Sequence, residues 1–255
     1  MALNVDLLGP RLKLARANRH IRDLHSLFET FVGDNPHRVE VNQDPDDGDF
    51  RVIGVFERPL PNETATIIGD AIHNLRACLD HLAAEAVRVG GQQAPDRNTG
   101  FPIYLGEADF NGGIASKLKG APAAFTELVK NLTPFKTHTN GTTGNVLLWL
   151  LGQLDNLDKH LVLLPTVSVI SIPFFQFLHP DGSVMASFTN TQVGGDGKVN
   201  AIRISGDGIK AEISGEPTFS VAFKDTGLVD GEDVVKLLSA LSQEVSRILA
   251  EAKKL

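Results

Sequence analysis

The sequence predicts an α+β fold: a helical bundle with an N-terminal β-hairpin and a C-terminal antiparallel β-meander, closed by a C-terminal helix. Three observations lead to this prediction. Apolar side chains recur at steps of three and four in long segments before residue 164. From Pro165 onwards, short β-rich segments alternate with turns. A last amphipathic segment follows Asp230, which is a good N-cap.

The first helix and the hairpin follow from periodicity and turn composition. A helix is predicted over residues 10–33, where the apolar residues at helical spacing are Leu14, Ala17, Ile21, Leu24, Phe28 and Phe31. The sequence Gly33-Asp34-Asn35-Pro36 is typical of a helix end. Next come the β-rich stretches "RVEV" and "FRVIGVF", joined by "NQDPDDGD". A turn-rich connection of this kind indicates a β-hairpin.

The middle of the sequence predicts two further apolar helices. "PNETATIIGDAIHNLRACLDHLAAEAVRV" indicates a long helix with Pro61 near its start and Gly90-Gly91 at its end. Residues 107–132 are weakly helical, and residues 144–163 form the second apolar helix. Beyond them, "HPDGS" and "SGDGI" are Asp-Gly turns between the strands of the meander. Because the last helix could pack with the earlier ones, we expect one domain over residues 1–255. The alternative is a helical domain over 1–164 and a β-rich domain over 165–255.

Composition excludes some function classes. The net charge of −7 does not favour a protein that coats nucleic acid or an anionic membrane. Cys78 is the one cysteine, so no internal disulfide can form, which favours a cytoplasmic location. The most apolar stretch is interrupted by polar residues between Gln153 and His160, so we expect no membrane span.

Polar side chains gather on the two apolar helices. On the long helix, six hydrogen-bonding residues lie opposite or beside the apolar arc: Asp70, His73, Asn74, Arg76, Asp80 and His81. On the second, the polar residues of one stripe are Gln153, Asn156, Lys159 and His160. Polar groups on so apolar a helix need partners. We therefore expect the two helices to face each other around a site of Arg76, His81, Asn156 and His160, with Asp155 and Asp158 pointing elsewhere.

The arginine and histidine of the long helix carry a family resemblance. Arg76, four residues and His81 resemble the R-x4–6-H signature of the HEPN superfamily. That resemblance implies a helical bundle, a homodimer and metal-independent RNA cleavage at the dimer interface, with no cofactor. Active members usually have a polar residue after the arginine, where this sequence has Ala77. The stretches "GDAIHNLRACLDHLA", "FPI" and "LWLLGQLDNLDKHLVLLP" also resemble a bacterial protein family without an established activity.

The resemblance assigns chemical roles. His81 would be the general base or acid, and Arg76 would bind the phosphate in a bidentate way. The supporting groups would be Asp70, His73, Asn74, Asp80, Gln153, Asn156, Lys159 and His160. No metal is expected. The first helix is basic, with Lys13, Arg16, Arg19, His20 and Arg22, and is either a phosphate-steering surface or a solvated face.

Two other functions are consistent with the same residues. In the first, Asp70-x-x-His73 has the i, i+3 spacing of helical carboxylate–histidine ligands, and His81 or His160 would complete the site of a metal-dependent hydrolase. In the second, the polar cluster is a structural hydrogen-bond network of a non-catalytic binding module, whose sheet carries the interface.

Overall fold

The computed structural model describes residues 5–34, 37–46, 48–56, 58–91, 96–160, 163, 165–194, 199–202, 204, 208–215 and 218–255. Helices and strands both contribute, in agreement with the predicted α+β class. Residues 205–207 of the predicted turn "SGDGI" lie outside the described residues. In chain order, the elements are α1 (Leu8–Gly33), β1 (His37–Gln43), β2 (Phe50–Phe56), α2 (Glu63–Val89), β3 (Tyr104–Gly106), α3 (Glu107–Lys117), α4 (Ala123–Asn131), β4 (Phe135–Thr137), α5 (Val146–Asp158), β5 (Pro165–Leu178), β6 (Val184–Gly194), β7 (Val199–Ile202), β8 (Lys210–Ser214), β9 (Thr218–Phe223) and α6 (Val234–Ala252).

The chain divides into two units that interleave along the sequence. Unit 1 draws on residues 1–25, 65–163 and 235–255, and unit 2 draws on residues 26–64 and 164–234. Unit 1 therefore holds most of the helices, and unit 2 holds most of the strands. Whether the chain folds as one domain or as two stays a prediction.

In unit 1, the apolar face of α2 is buried as its periodicity predicts. Eight residues of this face have no exposed surface: Ile68, Ala71, Ile72, Leu75, Leu79, Leu82, Ala83 and Ala86. Recurrence at three and four residues places them on one side of the helix, so burying them removes one continuous apolar surface from water. None of the described helices combines the length and the apolarity needed to cross a bilayer.

Specific contacts join the main helices of unit 1. Between α1 and α2, Gly9 lies against His81, and the thiol of Cys78 lies close to the backbone of Leu14. Between α1 and α6, the Ser242 hydroxyl donates to the side chain of Asn18. Since Gly9 meets His81 and the later Leu14 meets the earlier Cys78, α1 and α2 run in opposite directions.

In unit 2, the strands pair antiparallel, but the predicted meander is wrong in its strand order. A meander would place successive strands side by side, whereas β7 pairs with β2, and both β8 and β9 pair with β5. The reason is the length of β5, which has 14 residues. Its first half, from Pro165 to Ser171, pairs with β9, and its second half, from Phe174 to Leu178, pairs with β8.

The core of unit 2 lies between residues of β2 and β5. The hairpin of β1 and β2 pairs in a continuous register from His37 opposite Phe56 to Gln43 opposite Phe50. Phe50 then packs on Phe177, with ring centroids 4.8 Å apart. Aromatic side chains of this size supply most of the area that a small sheet core buries.

We expect Gly90→Ala to destabilise unit 1 by about 1–3 kcal/mol, the usual cost of overpacking. A Cβ at Gly90 would overlap the carbonyl oxygen of Gly120, which is backbone and cannot rotate away. Urea unfolding measures the effect. The matched control is Gly112→Ala, inside α3, where a Cβ meets nothing within 4 Å. That change should stabilise by about 0.5–1 kcal/mol, because alanine favours the helix. Equal effects at both positions would contradict this account.

Candidate active site

A polar site of unit 1 lies where α2 meets the C-terminal half of α5. Nδ1 of His73 is 3.2 Å from Oδ1 of Asp155. On its other side, Oδ2 of Asp155 accepts a hydrogen bond of 2.6 Å from Nζ of Lys159. Asp155 is only 3% exposed, whereas 58% of the His73 side chain is exposed. The carboxylate is therefore inside, and the imidazole reaches solvent.

This arrangement decides which ring nitrogen of His73 is available. An ionised carboxylate can only accept hydrogen bonds, so Nδ1 of His73 carries the hydrogen that it donates to Asp155. In the neutral ring, Nε2 is then the basic nitrogen. A buried aspartate that holds the imidazole in this tautomer is the arrangement of general bases in many hydrolases.

A second aspartate of α5 approaches α2 at a glycine. The carboxylate of Asp158 lies so close to Gly69 that a Cβ there would overlap it. Burial raises the pKa of Asp158, and the negative charges of Asp155 and Asp70 raise it further, while His73 opposes them. Asp158 therefore keeps its proton to a higher pH than an exposed aspartate does.

Replacing Asp158 with asparagine should stabilise the protein at pH 7. Because its pKa is raised in the folded state, Asp158 favours folding when protonated, and this advantage is lost as the pH rises through the raised pKa. Asp158→Asn removes the like-charge i, i+3 pair with Asp155, so we expect a gain of about 0.2–0.5 kcal/mol at pH 7. The gain should shrink towards pH 3. Thermal melts at several pH values measure it. The control is Asp23→Asn, at an exposed position of α1. A loss of stability at pH 7 would contradict the assignment.

Arg76 belongs to a different set of contacts. Its Nη2 donates to Oδ1 of Asp80 at 2.9 Å and to the carbonyl oxygen of Phe101 at 2.8 Å. The same Asp80 oxygen accepts from the backbone N–H of Phe101 at 2.9 Å. The backbone N–H and the backbone C=O of the buried Phe101 are therefore both satisfied by the ion pair of Arg76 and Asp80. The Arg76 side chain is only 18% exposed, so its guanidinium faces the protein.

The other predicted residues are not brought together. His81 is exposed, and its ring lies beside Gly9 of α1. Asn74 donates to the carbonyl oxygen of Asp70, one turn back in its own helix. Gln153 is half-buried, and Asn156 and His160 are exposed. Among the described residues, no side-chain hydrogen bond or ion pair joins Arg76, His81, Asn156 and His160 to one another.

Two expectations about α5 are corrected by these contacts. Asp155 and Asp158 were expected to point away from the polar cluster, but they are the residues that meet α2. Conversely, Asn156 and His160, the expected partners, are exposed. The signal for Asp155 was in the sequence, since an aspartate in a leucine-rich helix needs a partner, and Lys159 stands four residues away.

A metal site gains no support from the described part of the chain. No group of three or more histidine, cysteine, aspartate or glutamate residues there is arranged to hold a metal ion. Asp70 and His73 keep their helical spacing, but His73 contacts Asp155 instead.

Comparisons with known proteins assign no family. No family model matches the chain, and no curated protein or solved structure matches it either. The HEPN relationship, the dimer, the bacterial origin and the cytoplasmic location therefore stay predictions. The function has to be inferred from the geometry of the site.

Proposed function

We propose that this protein is a metal-independent ribonuclease whose acid–base site is formed by α2 and α5. The observation that carries the proposal is the exposed imidazole of His73, oriented by the buried carboxylate of Asp155 at 3.2 Å. The R-x4-H resemblance of α2 supports RNA as the substrate. The rest of the mechanism follows from what RNA cleavage without a metal requires.

The reaction is an internal transesterification. Nε2 of His73 takes the proton of the 2′-hydroxyl, and the 2′-oxygen attacks the adjacent phosphorus. The bond from phosphorus to the 5′-oxygen breaks, and that oxygen takes a proton from Asp158 in the fraction of molecules whose Asp158 is protonated, a fraction that the raised pKa enlarges and that falls as the pH rises. The products are a 2′,3′-cyclic phosphate and a 5′-hydroxyl. The proton that His73 gained and the one that Asp158 lost are then exchanged with water.

Lys159 supplies positive charge to the same site. Its ammonium group is bound to Asp155 and is half-exposed, so it can also approach a phosphate. A cation placed where charge develops on the phosphorane oxygens lowers the barrier. Geometry thus favours His73 over His81 for proton transfer, because His73 has a buried carboxylate partner. It favours a structural role for Arg76, whose Nη2 is bound to Asp80 and Phe101.

A second function is favoured by the contacts of Arg76. If the polar residues of α2 serve only to hold the segment at Phe101, the protein is a non-catalytic binding module. In that case, the network of Arg76 and Asp80 fixes the packing of unit 1, and His73 is an exposed residue without a chemical task.

Cleavage of a mixed single-stranded RNA pool in excess EDTA separates the two functions. We expect the folded full-length protein to leave 2′,3′-cyclic phosphate ends, detected by their resistance to ligation and to phosphatase until acid opens them. A His73→Ala preparation purified in parallel controls for contaminating nucleases. No cleavage by the folded wild type, or cleavage that EDTA abolishes, would overturn the proposal.

A further inference from the structure

The exposed face of α1 carries an unusual row of arginines. From Leu8 to Asp23, eight residues are exposed, and four of these are Arg11, Arg16, Arg19 and Arg22. At 100° per residue, they fall within one side of the helix. We call these four residues the arginine stripe. Along the axis, it extends about 16 Å at ~1.5 Å per residue.

The charges of the arginine stripe have no partner in the described part of the chain. None of the four forms an ion pair or a side-chain hydrogen bond with any residue that the structure describes, whereas Arg58, Arg76, Arg88 and Arg247 all do. On a chain with a net charge of −7, four unpaired guanidinium groups on one side of one helix are a local exception. Guanidinium groups bind phosphate oxygens in a bidentate geometry.

The position of the stripe relates it to the candidate active site. Within unit 1, Gly9 of α1 lies against His81 of α2, and Leu14 lies against Cys78. Moving forward along α1 therefore moves back along α2, from His81 towards His73. A strand held along the stripe runs in the direction of the residue that the proposed reaction needs.

The opposite side of α1 argues against a membrane as the ligand. A helix that lies in a bilayer surface needs a broad free apolar face. Here the apolar face of α1 is buried, with Ala17 and Leu24 fully covered. Only Leu8 and Leu12 are large exposed apolar residues on this helix, and both lie at its N-terminal end.

We propose that the arginine stripe of α1 binds the phosphate backbone of single-stranded RNA and leads it to the site at His73. This inference rests on the proposed function for the identity of its ligand, but binding can be measured without cleavage. Contacts of this kind are independent of base sequence, because the phosphates are the same at every nucleotide.

The test is RNA affinity as a function of salt. A labelled single-stranded RNA is titrated with full-length His73→Ala protein in EDTA, which keeps the RNA intact, and anisotropy is recorded from 50 to 300 mM salt (roughly the range in which counterion release is seen). In that background, the stripe variant carries Arg11→Gln, Arg16→Gln, Arg19→Gln and Arg22→Gln. The control variant loses the same charge from exposed residues elsewhere, through Arg97→Gln, Lys119→Gln, Lys253→Gln and Lys254→Gln.

The stripe variant should bind at least tenfold more weakly at low salt. Each lost phosphate contact removes about 0.7 from the slope of log affinity against log salt, so its slope should be shallower by about 3. The control variant should keep the parent slope. Equal slopes for the two variants, or no RNA binding by the parent, would overturn the proposal. Binding to vesicles rich in phosphatidylserine, without binding to RNA, would overturn it in favour of a membrane surface.

The same series separates this inference from the proposed function. Stripe-dependent binding by a protein that never cleaves RNA would support the stripe and overturn the ribonuclease. The opposite result is a protein that keeps His73, carries the four stripe substitutions and cleaves RNA as fast as wild type. That result would support the ribonuclease and overturn the stripe. Thermal melts of both variants establish that each is folded.

Discussion

Replacing His73 with alanine should reduce RNA cleavage by about 10²–10⁴-fold, the usual contribution of a general base. The loss follows from geometry, because His73 is the described histidine whose ring is oriented by a buried carboxylate and is open to solvent. The substitution also removes the partner of Oδ1 of the buried Asp155, so we expect the free energy of unfolding to fall by about 1–3 kcal/mol. Initial rates on a defined RNA in EDTA, together with a urea melt, measure both quantities.

Two matched histidines control this prediction. His81 and His160 are exposed like His73 but have no carboxylate partner among the described residues, so His81→Ala and His160→Ala should keep most of the activity. Asp155→Asn tests the orienting role, since the amide can present its N–H to Nδ1 and favour the wrong tautomer. It should lower the rate nearly as much as His73→Ala. If His81→Ala alone abolishes cleavage, the catalytic pair is Arg76 and His81, as the R-x4-H resemblance implies.

Asp158→Asn links this mechanism to the stability effect described above. The same change that should stabilise the folded protein at pH 7 removes the proposed proton donor, so cleavage should fall while the melting temperature rises. Activity and stability are expected to change in opposite directions when a charged group is kept for function at a cost in stability. A variant that is both more stable and fully active would remove Asp158 from the mechanism and leave His73 in it.

Local patterns in the sequence predicted the helices better than the site. The apolar arc of α2 was predictable because recurrence at three and four residues alone decides which side is buried. The contact of His73 with Asp155 depends instead on where α5 crosses α2, and that crossing requires the close approach at Gly69. Spacing within one helix carries no information about such a crossing. In the same way, alternation predicted β5 as a strand, but its two partners, β8 and β9, depend on its length and on distant segments.

Removing the guanidinium of Arg76 should destabilise unit 1 by about 2–3 kcal/mol, more than is usual for an arginine at a helix surface. Arg76→Met keeps the length and apolar volume of the side chain. It leaves the carbonyl oxygen of the buried Phe101 without its donor, and Asp80 without its cation. Buried polar groups that lose their partners pay the full cost of leaving water. Chemical unfolding of the full-length protein gives the difference in free energy.

Arg88→Met is the control for this loss, because Arg88 lies on the same helix and pairs with Glu85 at 2.7 Å, but its side chain is 52% exposed. An exposed pair of this kind contributes about 0.2–1 kcal/mol, so Arg88→Met should change stability little. A double-mutant cycle of Arg76→Met with Asp80→Ala should show strong coupling, since the two side chains bind each other and the backbone of Phe101. Should Arg76→Met be as stable as Arg88→Met and yet inactive, Arg76 acts on the substrate, and the contact with Phe101 is incidental. Should it be unstable but retain the specific activity of its folded fraction, Arg76 is a structural residue, and the R-x4-H spacing does not mark the catalytic pair.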